Sequence, residues 1–343
     1  MPIRHRTRQG NSLSIHSWHD FGATKTPLPQ TFPDCAITDL SHFGLIRATG
    51  SDVRTFLQGQ LTNDIKKVTP ELAQLSSYCS PKGRMLGSFR VFQRGDDLYL
   101  QLPADRLPEI LKRLRMFVLR AQVTLEDASG ELARFGVTGN CAGEMLPFVP
   151  DADKTTATRD DVTVIRLPGD RPRFEVVGPV SRLTPLWSSL SAKAAQTGPD
   201  FWSWLDIRAG VPNVFEDTVE AFVPQMANLQ LIDGVSFTKG CYTGQEVVAR
   251  MQYLGKLKRR MYLAHIADTQ RPAPGAEVYS PSSESGQGAG RIVDAAPAPD
   301  GGFDALAVLQ ISSANAGDVR LHDATGPVLE LLPMPYDLPP LDD

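Results

Sequence analysis

The chain has 343 residues, which is enough for two or three structural units around sizeable cores. Its hydrophobic fraction of 41% and charged fraction of 22% are typical of a soluble globular protein. The net charge of −4 argues against direct nucleic-acid binding as a main activity, although it leaves a local basic patch open. Since no apolar run approaches the roughly 18 residues that span a bilayer, no membrane partner is expected.

The N-terminal residues, 1–30, are predicted to form a basic, flexible tail. Arg4, Arg6 and Arg8 precede the first acid, Asp20, as in a transit peptide. The segment lacks the apolar core of a secretion signal, so a flexible tail is the preferred interpretation.

An α+β unit is predicted over residues 31–131. A strand is expected at 44–48, a helix capped by Ser51 follows it, and Ser80-Pro81-Lys82-Gly83 reads as a hairpin turn. An amphipathic helix is expected from Leu107 to Val118. The alternation of short strands and helices favours an α+β fold class over a doubly wound sheet.

A second α+β unit is predicted over residues 132–255, with a loop at 142–161. Short strands separated by Pro, Gly, Ser and Asp clusters then predict a small C-terminal β-barrel over 256–335. Residues 336–343 are expected to be an acidic tail. The basic residues from Lys256 to Arg260 are interpreted as a solvated strand start, with contact to an anionic folate tail or an RNA phosphate left open.

The four cysteines are widely separated and form neither a Cys-x-x-Cys pair nor a Cys/His cluster. This spacing predicts no metal site and no disulfide framework, and it fits a reducing, cytoplasmic compartment. The cysteines are Cys35, Cys79, Cys141 and Cys241.

The segment from Lys239 to Glu246, KGCYTGQE, is the most informative stretch of the chain. Thr243 and Glu246 have the spacing of a capping box, which predicts a helix beginning at Thr243. Cys241 would then lie beside the positive end of that helix, where Lys239 and the helix dipole would lower the pKa of its thiol. Cys241 is therefore a candidate reactive thiol with Lys239 as its partner, and the alternatives are a buried, inert cysteine and a solvated lysine.

The run KGCYTGQEVVAR, together with LQGQLTND at 57–64, PKGR at 81–84 and RAGVP at 208–212, resembles the signature of the YgfZ family of folate-binding proteins. That family is related to the aminomethyltransferase, or T-protein, of the glycine cleavage system. The resemblance covers most of residues 35–262. It implies two ferredoxin-like units and a small barrel, arranged as a clover leaf around a channel that binds tetrahydrofolate or a derivative.

The resemblance also implies the residues that line the folate site. Aromatic side chains are natural contacts for a flat pterin ring, although each could equally be a core aromatic. The candidate cofactor-binding residues are Phe43, Trp202, Arg208, Gln225, Asn228 and Tyr242.

Two departures from the related transferases bear on activity. The strand after Gly83 contains no acid, and Gly87 or Ser88 occupies the position of the transferase aspartate. Arg208 stands where many relatives have a glutamate that accepts hydrogen bonds from the pterin, so Asp206 or Glu216 would have to supply the acceptor.

The leading hypothesis is a monomeric, folate-binding accessory protein for iron–sulfur cluster assembly or repair, affecting cluster-dependent tRNA modification. Its partners would be iron–sulfur proteins or assembly factors. One alternative is a folate-dependent C1 transferase that uses a different acid. Another is an interaction module with a vestigial folate pocket.

Overall fold

The computed structural model describes residue 29, residues 31–283 and residues 288–339. The predicted basic tail lies outside this range except for residue 29, as do residues 340–343 of the predicted acidic tail. None of the helices in the described ranges has the length and apolar character that crossing a membrane requires.

The described chain alternates strands with short helices throughout. The helices are α1 (Val53–Gln60), α2 (Leu107–Met116), α3 (Ala142–Met145), α4 (Val180–Ser191), α5 (Pro199–Arg208), α6 (Gln245–Tyr253) and α7 (Ile311–Ala316). The strands are β1 (Cys35–Asp39), β2 (Phe43–Thr49), β3 (Gln74–Cys79), β4 (Met85–Arg94), β5 (Asp97–Pro103), β6 (Thr124–Asp127), β7 (Leu132–Gly139), β8 (Thr156–Arg159), β9 (Val162–Leu167), β10 (Arg173–Pro179), β11 (Ala195–Thr197), β12 (Arg259–Ile266), β13 (Glu277–Tyr279), β14 (Gly290–Pro297), β15 (Phe303–Gln310), β16 (Arg320–Leu321) and β17 (Leu329–Leu332).

The first sheet has five strands in the order β3-β4-β5-β2-β6. The predicted hairpin at 80–83 joins β3 to β4 in antiparallel register. Helix α1 buries Val53, Phe56 and Leu57, so its apolar positions form the face predicted from their spacing. The helix begins at Val53, and Asp52 is its N-cap residue in place of the predicted Ser51.

The second sheet has six strands in the order β11-β1-β7-β10-β9-β8. Strand β1 pairs antiparallel with β7 and parallel with β11, although it precedes every strand of the first sheet in the chain. The crossover ties the first residues of the described chain into the second sheet. The two ferredoxin-like units implied by the resemblance are not confirmed, whereas the mixed α/β content is.

The C-terminal unit is a curled six-stranded sheet with the order β16-β13-β14-β15-β12-β17. Its outermost strands approach each other through an isolated bridge between Arg320 and Val328. The C-terminal unit is a half-barrel in place of the predicted small barrel. Its strands pack around a buried aliphatic core.

Cys35 and Cys141 form a disulfide-bonded pair with their Cα atoms 5.9 Å apart. The cause is the register of β1 on β7, in which Cys35 lies opposite Gly139, two residues before Cys141. A Cα separation in this range suits a disulfide. The cysteine spacing gave no sign of this pair, because the contact is made by strand pairing across 106 residues of chain.

Candidate functional site

A cavity opens between the two α+β sheets and continues into the interior. Its outer part, the mouth, has a volume of about 480 Å³, and its inner part, the chamber, has about 30 Å³. Leu75 and Arg90 line both parts, so the chamber lies directly behind the mouth. Six chamber residues carry the chemistry discussed below: Phe43, Ser88, Arg90, Gln101, Glu175 and Asp206.

Glu175 on β10 places a carboxylate in the chamber wall. The side chain is fully buried, and its Oε2 accepts a hydrogen bond of 3.1 Å from Gln101 Nε2. Within the described residues, its Oε1 has no hydrogen-bond partner. Burial raises the pKa of this carboxyl, and the nearby Arg90 and Arg134 oppose that rise. Glu175 therefore places an unpartnered carboxyl oxygen in a residue of the chamber wall.

Arg90 and Gln101 add two further polar atoms to the same wall. Arg90 Nε lies 3.8 Å from Glu175 Oε2, too far for a hydrogen bond, and burial lowers the pKa of this guanidinium. Neither Arg90 Nε nor Gln101 Oε1 is bonded to another group in the described part of the chain. Buried polar groups are normally satisfied, so these three atoms give the chamber wall the capacity to bind a polar ligand or ordered water.

Phe43 and Trp202, the two predicted pterin contacts, both line the chamber. Trp202 on α5 is 1% exposed, and its indole packs against the backbone of Gly136 on β7. A Cβ at Gly136 would lie 2.1 Å from the indole ring, so only glycine allows this close approach. The two aromatics also belong to the core cluster between the first and second sheets. They serve as core residues and as cavity wall at once.

The alternative acceptors divide between the cavity and the surface. Asp206 lines the chamber, but it is paired with the buried Arg173. Glu216 is exposed, pairs with Arg106 and lines neither part of the cavity. Ser88, at the position of the transferase aspartate, lines the chamber, and its Oγ accepts a 3.0 Å hydrogen bond from Val214 N–H.

Three other predicted cofactor residues lie outside the cavity wall. Arg208 is about one-third exposed, and its guanidinium lies 3.5 Å from Asp304 Oδ2 in the C-terminal sheet. Gln225 is buried and donates to Val248 O at 2.6 Å, and Asn228 donates to Met261 O at 2.9 Å. Each of the three side chains joins its own segment to a neighbouring element, namely α6 for Gln225, β12 for Asn228 and β15 for Arg208.

Lys239 is buried, and its ammonium group binds the end of α1. Its Nζ donates to the carbonyl oxygens of Gln58 and Leu61 at 2.6 Å and of Asn63 at 3.0 Å. Burial lowers its pKa to about 8, and Asp64 opposes the shift. Gln58 belongs to the last turn of α1, and Leu61 and Asn63 follow it, so Lys239 caps that helix and joins the two motifs KGCYTGQE and LQGQLTND.

Helix α6 begins at Gln245, two residues later than predicted, and the predicted capping box is absent. The N-cap is Gly244, with φ of 82° and no side-chain cap hydrogen bond. A Cβ on Gly244 would lie 2.4 Å from Ser80 O, so the hairpin 80–83 packs directly on this turn. The prediction of a capping box was wrong because the contact with the hairpin 80–83, which is distant in sequence, fixes the start of the helix.

Cys241 lies in the loop before α6 and is exposed, whereas Cys79 is buried in the core. Tyr242, the last of the predicted cofactor residues, is 7% exposed, and the Lys239 ammonium lies 5.0 Å from its ring centroid. Tyr242 lines neither the mouth nor the chamber. No group of three or more His, Cys, Asp or Glu residues that could hold a metal occurs in the described ranges.

Glu175 is the site residue that sequence reasoning missed. Its strand contains a single acid between Phe174 and Val176, in a segment buried on both faces. An ionisable residue in such a strand is unusual unless it is paired or functional. The single acid in an otherwise apolar strand is visible in the sequence. Its role depends on Gln101 and Arg90, which approach Glu175 from other strands.

The chain has an aminomethyltransferase-like fold. The structure is similar to the glycine cleavage system aminomethyltransferase T from Bartonella henselae, with a TM-score of 0.69, 16% identity, and coverage of 88% of this chain and 85% of that one. The family model of the GCVT N-terminal domain matches residues 21–159.

Two relatives are much more similar in sequence. The tRNA-modifying protein YgfZ of Colwellia psychrerythraea is 32% identical over 91% of this chain and 95% of its own length. The protein of the same name from Yersinia enterocolitica is 31% identical over 92% and 95%, respectively. The chain belongs to the YgfZ family.

Proposed function

We propose that this protein is a tetrahydrofolate-binding accessory protein in tRNA modification. It would support the assembly or repair of iron–sulfur clusters on which tRNA-modifying enzymes depend. The observation that carries the proposal is the unpartnered Oε1 of Glu175, buried in a cavity of an aminomethyltransferase-like fold. Both relatives are tRNA-modifying proteins by name, which supports the connection with tRNA.

The cavity fits the polar edge of a pterin. A mouth of about 480 Å³ lies within the usual range for ligand pockets, roughly 300–1,000 Å³. The chamber holds only about one water-sized volume, so the bicyclic ring would occupy the mouth and insert one edge. Glu175 Oε1 and Gln101 Oε1 would accept from the pterin amino group and ring N–H, and Arg90 Nε would donate to a ring acceptor.

Cys241, in the loop before α6, is the candidate reactive thiol. Its exposure supports contact between its thiol and a partner protein, such as an iron–sulfur protein or an assembly factor. Lys239 is assigned to positioning, because its three bonds to carbonyl oxygens hold the loop against α1. The protein would act as a monomer in the cytoplasm, where tRNA is modified.

The test is complementation of a strain that lacks the gene, read by mass spectrometry of modified nucleosides in its tRNA. Cys241→Ala and Cys241→Ser should both fail to restore the cluster-dependent modifications, whereas Thr243→Ala, a change in the same loop, should restore them. Glu175→Gln should restore them poorly, and Glu109→Gln, a change of an exposed acid on α2, should restore them fully. Full restoration by both Cys241 variants would remove the thiol from the proposal.

A folate-dependent C1 transferase is the second candidate, and Glu175 itself favours it. A buried carboxyl with a raised pKa could provide the acid that Ser88 lacks. Turnover of aminomethyl or N-methyl donors that requires both tetrahydrofolate and Glu175 would favour this candidate over the accessory role. The alternative of an interaction module with a vestigial folate pocket was suggested by Arg208. That argument is weaker because Arg208 lies outside the cavity wall.

A further inference from the structure

A second groove, separate from the folate-type cavity, collects three arginines from distant parts of the chain. Its volume is about 660 Å³, and it shares no lining residue with the mouth or the chamber. Arg84 reaches it from the residue before β4, Arg259 from the start of β12 and Arg291 from β14. We call this feature the arginine groove.

Backbone carbonyl groups hold two of these guanidinium groups in place. Arg84 Nη1 donates to Glu220 O at 3.0 Å and to Ala221 O at 2.9 Å. Arg259 Nη2 donates to Gly288 O at 3.2 Å. Such bonds orient a guanidinium group without neutralising its charge, and its other N–H groups stay available.

Two exposed carboxylates, Glu220 and Glu277, also line the groove, and they compensate its three cations only in part. Arg291 lies 3.5 Å from Glu277 Oε1, an exposed pair of small energetic worth. Arg84 and Arg259 form no ion pair with any carboxylate of the described chain. Burial lowers the pKa of Arg259, and the charges of Arg291 and Arg84 lower it further. The three cations therefore repel one another in the absence of a bound anion.

The chemistry of three converging guanidinium groups favours phosphate. The planar fork of arginine matches phosphate oxygens in bidentate geometry, and a concave site with an excess of positive charge concentrates anions. The overall charge of −4 makes this concentration local rather than a general property of the surface.

The surface beside the groove favours an RNA chain over a free phosphate ion. Met226 lines the groove, and its neighbour Gln225 is hydrogen-bonded to Val248 of α6. At the end of α6, Tyr253 is 67% exposed and meets Phe237 edge-on, with ring centroids 6.1 Å apart. Exposed Lys256 and Lys258 then lead into Arg259. The hairpin that precedes Arg84 packs on the first turn of α6, since a Cβ on Gly83 would lie 2.8 Å from Val247 Cβ. An exposed aromatic followed along the chain by basic residues can bind single-stranded nucleic acid by stacking and phosphate contact.

We propose that the arginine groove binds the phosphodiester backbone of RNA, with Tyr253 stacking on an unpaired base. The groove would bring RNA to the side of the molecule where α6 and the Cys241 loop lie. The binding does not require folate, and it rests on the proposed function only for the choice of tRNA as the probe.

The test is fluorescence anisotropy of a labelled, unmodified tRNA transcript with the full-length protein. Each of three groove variants should weaken tRNA binding by about fivefold or more: Arg84→Gln, Arg259→Gln and Arg291→Gln. Each should also reduce the slope of log affinity against log salt concentration by about the value of one phosphate contact. Tyr253→Ala should weaken binding without changing the salt slope. Arg182→Gln, which removes an exposed charge on α4, should leave affinity within about twofold of wild type and serves as the control.

Inorganic phosphate and tetrahydrofolate titrations complete the experiment. Thermal unfolding of each groove variant shows whether it is folded, and the tetrahydrofolate titration is read separately, so that a failure of the proposed function is distinguished from a failure of RNA binding. Equal loss of tRNA affinity in Arg182→Gln and the groove variants would overturn the proposal. The proposal would also be overturned if the groove variants bound tRNA as tightly as the wild type does. Binding of inorganic phosphate by the wild type in that case would mean that the groove binds a free phosphate ion and not RNA.

Discussion

Lys239 Nζ lies 2.6 Å from the carbonyl oxygen of Leu61, 178 residues earlier in the chain. This bond and those to Gln58 and Asn63 fasten the cysteine loop to the end of α1. The lysine next to the candidate thiol is thus a structural cation whose hydrogen bonds are made to the backbone.

Lys239→Met should therefore destabilise the protein more than it affects the thiol. Three carbonyl oxygens would lose their donor, which predicts a loss of about 3 kcal/mol in the free energy of unfolding by urea. Lys82→Met, a change of an exposed lysine in the neighbouring hairpin, should cost less than about 0.5 kcal/mol. The alkylation rate of Cys241 in folded Lys239→Met should stay within about twofold of wild type. A drop of about tenfold would restore Lys239 as a thiolate partner.

Asp294 should make stability fall as pH rises. Burial raises the pKa of this carboxyl from 3.8 to about 7, so between those values the native state holds a proton that the unfolded state has lost. The full penalty is present above about pH 7 and is at most about 4 kcal/mol. Asp294→Asn keeps an acceptor for Ala295 N–H and removes the titration. The stability difference between variant and wild type, measured by urea unfolding, should grow in the variant's favour from about pH 4 to pH 7.

The control for that experiment is Asp300→Asn, since Asp300 is exposed in a turn. Its stability difference from wild type should stay constant over the same pH range. A constant difference for Asp294→Asn as well would contradict the account of a protonated, buried Asp294.

Tyr336 should control access to the mouth. Its hydroxyl donates to Gly210 O at 3.1 Å and accepts from Asn228 Nδ2 at 3.4 Å, and its side chain lines the mouth. Tyr336→Phe should cost about 1 kcal/mol of unfolding free energy. Tyr336→Ala should also speed tetrahydrofolate release, measured by stopped-flow fluorescence. Equal release rates in Tyr336→Ala and wild type would place the ligand elsewhere.

The absence of an acid on β4 predicts that the purified protein does not transfer an aminomethyl group to tetrahydrofolate. Ser88 Oγ accepts from Val214 N–H and has no ionisable proton to supply in the working pH range. The measurement is NMR detection of methylene-tetrahydrofolate from an aminomethyl donor. Turnover abolished by Glu175→Gln would contradict this prediction and support the transferase.

Local pattern and resemblance identified much of the fold, but they identified less of the site. The helix face of α1, the hairpin at 80–83 and the curled C-terminal sheet follow from periodicity and turn residues. The position of β1 between β7 and β11 does not, because strand order depends on contacts far apart in sequence.

The same limit explains the individual site residues. Phe43 and Trp202 were expected at the cavity from the family resemblance, and both line the chamber. Lys239 was assigned by its closeness to Cys241 in sequence, whereas the carbonyls it binds come from residues 58–63. Glu175 acquires its significance only when Gln101 and Arg90 approach it from the first sheet.

The central claim is that Glu175 is the folate acceptor, and calorimetric titration with tetrahydrofolate tests it most directly. Wild type and Glu109→Gln should bind with equal affinity, and Glu175→Gln should bind at least about tenfold more weakly, since the amide replaces one acceptor oxygen by a donor and removes its charge. Thermal unfolding of each variant checks that the fold is intact. No detectable binding by the wild-type protein, or equal affinity in Glu175→Gln, would contradict the account.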